Sequence, residues 1–154
     1  SVGSGKSYMA ACVANELIKQ GADVKMTNFA TVLNDLFNCE DKNEYIRSLC
    51  RYSLLILDDL GIERNTEYSV ENLFNVIDAR YVSGKAMIIT TNLNLEELKN
   101  QKQLSLKRIY DRVLERCIPV CVSENDFRKD NRVEAKVKFG KIINGGKMDE
   151  EKYE

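Results

Sequence analysis

Apolar residues return with helical spacing at Met9, Val13 and Leu17, which predicts a helix over residues 7–19 ended by Gly21. A short strand is expected from Asp23 to Asn28, then a helix carrying Val32, Leu33, Leu36 and Phe37, and another from Asn43 to Cys50. Leu54-Leu55-Ile56-Leu57 is a continuous apolar run, the pattern of a strand buried on both faces of a parallel sheet, and Asp58-Asp59 closes it. Val70, Leu73, Phe74, Ile77 and Tyr81 keep helical spacing as far as Gly84. Residues 86–91 read as the next strand, ending at Asn92, and Leu106, Ile109, Tyr110, Val113, Leu114 and Cys117 as one more amphipathic helix. Ile118 to Val122 reads as a last strand, with Pro119 at its start or on an edge. Strands alternating with helices predict a doubly wound α/β parallel sheet, whose ligands bind beyond the carboxyl ends of the strands. Asp58, Asp59 and Asn92 all fall at such ends.

The opening Ser1-Val2-Gly3-Ser4-Gly5-Lys6-Ser7 carries the second half of the phosphate-binding P-loop pattern G-x-x-x-x-G-K-[ST]. The chain is therefore expected to be truncated at its N-terminus within the P-loop, with the feeding strand and first glycine preceding it. Backbone N–H groups around Gly3, Ser4 and Gly5 would line a concavity for phosphate oxygens. Lys6 would reach the β- and γ-phosphates of ATP, and the Ser7 hydroxyl would complete a Mg²⁺ shell. Taken alone, the same residues could be a Gly/Ser-rich turn capping a helix. The apolar strand ending in two acids is the Walker B pattern: Asp58 would hold Mg²⁺ through its waters, and Asp59 would orient or deprotonate an attacking water. Seen alone, that pair could be a turn or helix cap. Asn92 could hydrogen-bond both the attacking water and the γ-phosphate, although asparagine after a strand is also an ordinary turn residue.

Composition narrows the chemistry further. The chain has 154 residues, a net charge of −1 and no histidine, so proton chemistry falls to carboxylates and a zinc or Cys–His site has little support. One domain is expected over residues 1–139, followed by a polar, flexible tail over residues 140–154. Cys12, Cys39, Cys50, Cys117 and Cys121 are odd in number and form no C-x-x-C pair. They read as reduced thiols of a cytoplasmic protein, Cys12 in a helix and Cys121 in a strand, behaving as small apolar residues. No apolar run is long enough to span a membrane.

Arg108, Arg112 and Arg116 form a stripe of four-residue spacing, expected opposite the apolar face of its helix. The stripe reads either as a solvated face laced with Asp111 and Glu115 or as the source of an arginine finger for a neighbouring subunit's γ-phosphate. Arg128 could contact the phosphates of its own subunit. The basic excess from Arg128 to Lys147 fits a nucleic-acid backbone and a solvated tail equally well.

These motifs, in this order and spacing, resemble the DnaC-like bacterial helicase loaders and the IstB transposition helpers of the AAA+ class. The likeness is closest in Asp58-Asp59-Leu60-Gly61-Ile62-Glu63-Arg64, Glu67-Tyr68 and Ala79-Arg80-Tyr81, and runs from Ser1 to about Arg128. The resemblance implies a P-loop NTPase fold of AAA+ type, with Lys6 and Ser7 on ATP and Mg²⁺ and Asp58 and Asp59 as Walker B. It makes Asn92 sensor 1, Arg112 the arginine finger and Arg128 sensor 2. It further implies an ATPase, slow and stimulated by DNA or partner. Such a protein would assemble in a spiral on single-stranded DNA and deliver a DnaB-type replicative helicase. A transposition helper, an ATP-ordered DNA-binding module with little hydrolysis and, more remotely, a small-molecule kinase are the competing readings. The second Walker B acid departs from the glutamate of many AAA+ motors, which leaves the hydrolysis rate open.

Overall fold

The computed structural model describes residues 5–61 and 66–122. The chain divides into one unit of Lys6–Cys121, described below, and another of Ser1–Gly5 with Val122–Glu154. The strands β1 (Val24–Asn28), β2 (Leu54–Leu60) and β3 (Ala86–Thr91) pair in parallel in the order β1-β2-β3. The helices are α1 (Lys6–Lys19), α2 (Phe29–Asn38), α3 (Lys42–Leu49), α4 (Glu67–Ser83), α5 (Leu95–Lys99) and α6 (Leu104–Arg116).

The central strand explains the layering. Leu54 and Ile56 pack with Ala10 and Ala14 of α1 on one face of the sheet, while Leu55 and Leu57 enter the larger core on the other. That core draws Phe29, Val32 and Leu36 from α2, Val70, Leu73, Val76 and Ile77 from α4, and Ile109, Tyr110 and Val113 from α6. Leu55, Ile56 and Leu57 have no exposed surface, and burying each such side chain contributes about 1.5–3 kcal/mol. Helices on both faces of a parallel sheet are the α/β arrangement the hydrophobic pattern predicts.

Local chemistry sets the element ends. Asn28 closes β1 and caps α2, its side chain accepting from the Thr31 N–H at 2.8 Å, so strand and helix join without a loop. Thr66 and Ser69 form a capping box at the start of α4. Gly84 ends α4 with a φ of +67°, a left-handed position that glycine occupies without a Cβ penalty.

Several expectations are corrected. On α1 the face toward the sheet is Ala10 and Ala14 with half-buried Leu17, whereas Met9 and Val13 are exposed. The two stripes overlap in sequence, and the small one lets the helix approach the strands closely. Strand β2 does not end in the two acids but continues past them to Leu60, with a register shift between Leu57 and Leu60. The α5 turn escaped the periodicity because five residues hold too few apolar positions to show one. Ile118 to Val122 is no strand: it has no strand partner among the described residues, and Ile118 and Val120 are largely exposed. An apolar alternation proposes a strand, but only a neighbouring edge makes one. Cys121 is accordingly exposed and outside any strand, and Cys12 is exposed on α1, so neither acts as a core residue. All five cysteines are free, and burial pushes the Cys117 thiol upward, away from reactivity. Among the described residues no helix is long and apolar enough to cross a membrane.

Candidate functional site

Register brings the chemistry to one end of the sheet. Asn28 pairs with Asp58 across β1 and β2, and β3 ends next to them at Thr91. Helix α1 begins at Lys6 and packs against all three strands, which places its positive dipole end at the start of Lys6-Ser7. Gly5 has a φ of +85°, the left-handed backbone a P-loop glycine supplies.

The Lys6 Nζ donates to Asn92 Oδ1 at 2.9 Å. These residues are 86 apart in the chain, and tertiary structure alone joins them. A neutral amide orients the ammonium without cancelling its charge, and the Asn92 side-chain nitrogen retains donors for an anionic oxygen. Asp58 is half-buried and Asp59 exposed. Thr90 Oγ1 donates to Asp58 Oδ1 at 2.6 Å and accepts the Asp59 backbone N–H at 2.9 Å. Thr91 Oγ1 donates to the Leu60 carbonyl at 2.7 Å and accepts the Leu93 N–H at 3.1 Å. Asp59 itself has a φ of +55°, unusual for a residue other than glycine.

The donor set fits a magnesium nucleotide: an ammonium, a hydroxyl in the first turn of a helix and a carboxylate at a strand end. Among the described residues no group of three or more His, Cys, Asp or Glu side chains that could hold a metal ion occurs. Two depressions lie elsewhere. One of about 530 Å³ borders α5 and α6 near Glu97 and Gln101, and one of about 120 Å³ lies under Gly61 between Leu73, Leu93 and Tyr110. Neither contains the residues that would hold phosphate.

The predicted residues thus divide into three groups. Lys6, Asp58, Asp59 and Asn92 belong to the strand-end cluster, with Gly5 and Ser7 flanking Lys6 in the chain at the start of α1. Gly3, Ser4 and Arg128 lie outside the described residues, as do Ile62-Glu63-Arg64, the basic segment from Arg128 to Lys147 and the tail from Gly140. Arg112 is on α6 against α4, apart from the cluster: its Nη1 lies 2.5 Å from Asp78 Oδ1 in an ion pair whose alignment is not that of a hydrogen bond. Its guanidinium also covers the Phe74 ring at 4.6 Å and the Tyr81 ring at 5.7 Å. Arg116 stacks on Tyr81 at 4.8 Å and donates to its carbonyl at 2.9 Å. The arginine stripe therefore does not stand wholly opposite the packed face, because aromatic rings of α4 draw two of its three members inward. Sequence reasoning missed Thr90 as a site residue. The available signal was a pair of hydroxyls ending an otherwise apolar strand.

A glycine-lysine-serine turn opening a helix, two acids near the end of the buried central strand and an amide bonded to the lysine define a P-loop nucleotide-binding domain. The chain belongs to the family of IstB-like ATP binding proteins, matched over residues 1–135. It is 35% identical over 115 residues to the Escherichia coli K12 protein YdaV, covering 72% of this chain and 45% of that one. It is 28% identical over 116 residues to the replicative helicase loader DnaC of the same organism, with coverage of 72% and 46%. The chain thus spans less than half the length of these relatives. Among solved structures, DnaI superposes with a TM-score of 0.68 at 22% identity, over 82% of this chain and 68% of that one. The fold is accordingly that of an AAA+ P-loop domain.

Proposed function

We propose that this chain is the ATPase core of a helicase loader, which binds ATP and Mg²⁺, contacts single-stranded DNA and delivers a replicative helicase of the DnaB type. The observation that carries the nucleotide reading is the Lys6–Asn92 hydrogen bond beside Asp58. The likeness to a protein named for helicase loading supports the rest.

In this reading Lys6 and the N–H groups of Gly3 to Gly5 bind phosphate, Ser7 and Asp58 hold the metal, and Arg128 contacts phosphate from its own chain. Bound Mg²⁺ supplies charge that neutralises the phosphates. Asp59 accepts a proton from, or orients, the attacking water, and Asn92 hydrogen-bonds that water and the γ-phosphate. Arg112 acts as the finger toward a neighbouring copy in a spiral, which requires it to exchange Asp78 for phosphate. Exposed Phe37, and Tyr68 with the Lys42 ammonium 5.0 Å above its ring, offer stacking surfaces for unpaired bases. Action in the cytoplasm follows from the same role.

The family description favours a second reading, an IstB-like transposition helper that uses the same core beside a transposase. An ATP-ordered DNA-binding module with little hydrolysis is the third. Capture of the full-length protein on the replicative helicase of its host, with and without ATP, separates them. A complex whose DNA loading depends on nucleotide supports the loader. Absence of any complex refutes it, and a transposase becomes the next bait. In a separate titration of the full-length protein with a fluorescent ATP analogue, Lys6→Ala should weaken ATP binding by about 100-fold or more, roughly the loss of a charge-assisted contact to phosphate.

A further inference from the structure

Pairing between β2 and β3 runs regularly to Leu57↔Ile89, slips, and resumes at Leu60↔Thr91. Asp58 and Asp59 sit inside that interruption, where the ladder to β3 does not fix them, although Asp58 still pairs with Asn28 on the β1 side. Thr90 fills the gap. It is 6% exposed, and its one hydroxyl donates to the Asp58 carboxylate while accepting the Asp59 N–H. Only a group that donates and accepts at once can make both bonds. The first sets the rotation of the Asp58 carboxylate, and the second secures the left-handed backbone of Asp59. Two residues further on, Asn92 orients Lys6. A single strand end therefore aligns the phosphate-binding cation and both acids.

We propose that Thr90 is a positioning residue for magnesium-dependent nucleotide chemistry, its hydroxyl holding Asp58 and Asp59 in register with the Lys6–Asn92 pair. The proposal rests on the ATP-binding reading above. Thr90→Val keeps the volume and removes the hydroxyl, and Thr90→Ser keeps the hydroxyl.

The test uses the full-length protein with a fluorescent ATP analogue titrated at a series of Mg²⁺ concentrations, together with ATP turnover in the presence of single-stranded DNA. With Lys6 and its loop untouched, metal-free nucleotide affinity in Thr90→Val should stay within about twofold, while the Mg²⁺ midpoint rises and turnover falls by roughly tenfold, the scale of a misplaced acid–base group. Thr90→Ser should restore both. A threonine serving packing alone would lower the melting temperature and leave the Mg²⁺ midpoint in place. That result, or a Thr90→Ser as impaired as Thr90→Val, overturns the proposal. If the wild type binds nucleotide without turnover, the hydrolysis reading fails and the Mg²⁺ midpoint still decides the role of Thr90. If it binds no nucleotide, both fail. Should Thr90→Val not fold, Thr90→Cys, with its weak S–H donor, is judged by the same midpoint.

Discussion

Arg112→Ala tests whether the candidate finger is first a clamp within its own chain. The guanidinium and Asp78 are each about one-third exposed, at 32% and 34%. Solvent therefore screens the pair, and its contribution stays near the upper end for surface ion pairs, about 1 kcal/mol. Stacking over Phe74 at 4.6 Å adds roughly 1 kcal/mol, and the more distant Tyr81 at 5.7 Å about half that. Arg112→Ala should then destabilise the full-length protein by about 2.5 kcal/mol in urea denaturation with an unchanged slope. A double-mutant cycle with Asp78→Ala should return a coupling of about 1 kcal/mol. A coupling under about 0.3 kcal/mol would refute the clamp, since residues in contact normally couple by more. In that event the Asp78 pair would not hold Arg112 back from a neighbour's phosphate, and only the Phe74 and Tyr81 rings would. If the clamp holds, loss of turnover in Arg112→Ala has to be measured under conditions where the variant is fully folded. Arg112→Lys is the useful companion, because it keeps the charge and loses most of the stacking.

Arg80 is 1% exposed and donates to the carbonyls of Tyr52 at 2.8 Å, Ser53 at 3.1 Å and Ala86, with a longer contact to Leu49 at 3.4 Å. Burial lowers its pKa from the ordinary value, yet it remains a cation tying α4 to the entrances of β2 and β3. Arg80→Met should cost about 3 kcal/mol by leaving those carbonyls unpaired, as read by chemical denaturation; a loss under about 1 kcal/mol would mean water replaces it. The Tyr45 hydroxyl donates to Asp35 Oδ2 at 2.6 Å, and burial, then that bond, raises its pKa well above 10.0. The folded state therefore keeps this proton at a pH where the unfolded chain loses it, so stability is full below pH 10.0 and falls as pH rises beyond it. Tyr45→Phe should remove about 1 kcal/mol at neutral pH and flatten that alkaline decline; an identical decline in both proteins would refute the assignment.

The sheet was legible because Leu54 to Leu57 cannot be solvated and is too short for a buried helix, which left a central strand as the reading. Lys6, Ser7, Asp58, Asp59 and Asn92 stood out in the sequence as candidates because phosphate and magnesium chemistry demands those residue types at strand ends and helix starts, and the fold places Lys6 against Asn92 there. Local pattern did not reveal which of two overlapping stripes on α1 meets the sheet, since close approach to the strands depends on side-chain size at the contact. Nor did it reveal that Ile118 to Val122 finds no strand partner among the described residues, because a strand is defined by its neighbour. The bulge at Asp58-Asp59, the bridging hydroxyl of Thr90 and the burial of Arg80 arise from groups 27 to 32 residues apart. Only packing sets such distances. Sequence alone determined which chemical groups stand as candidates for the site; tertiary structure decided which of them hold one another in place, because hydrogen bonds respond to position in space and not to order along the chain.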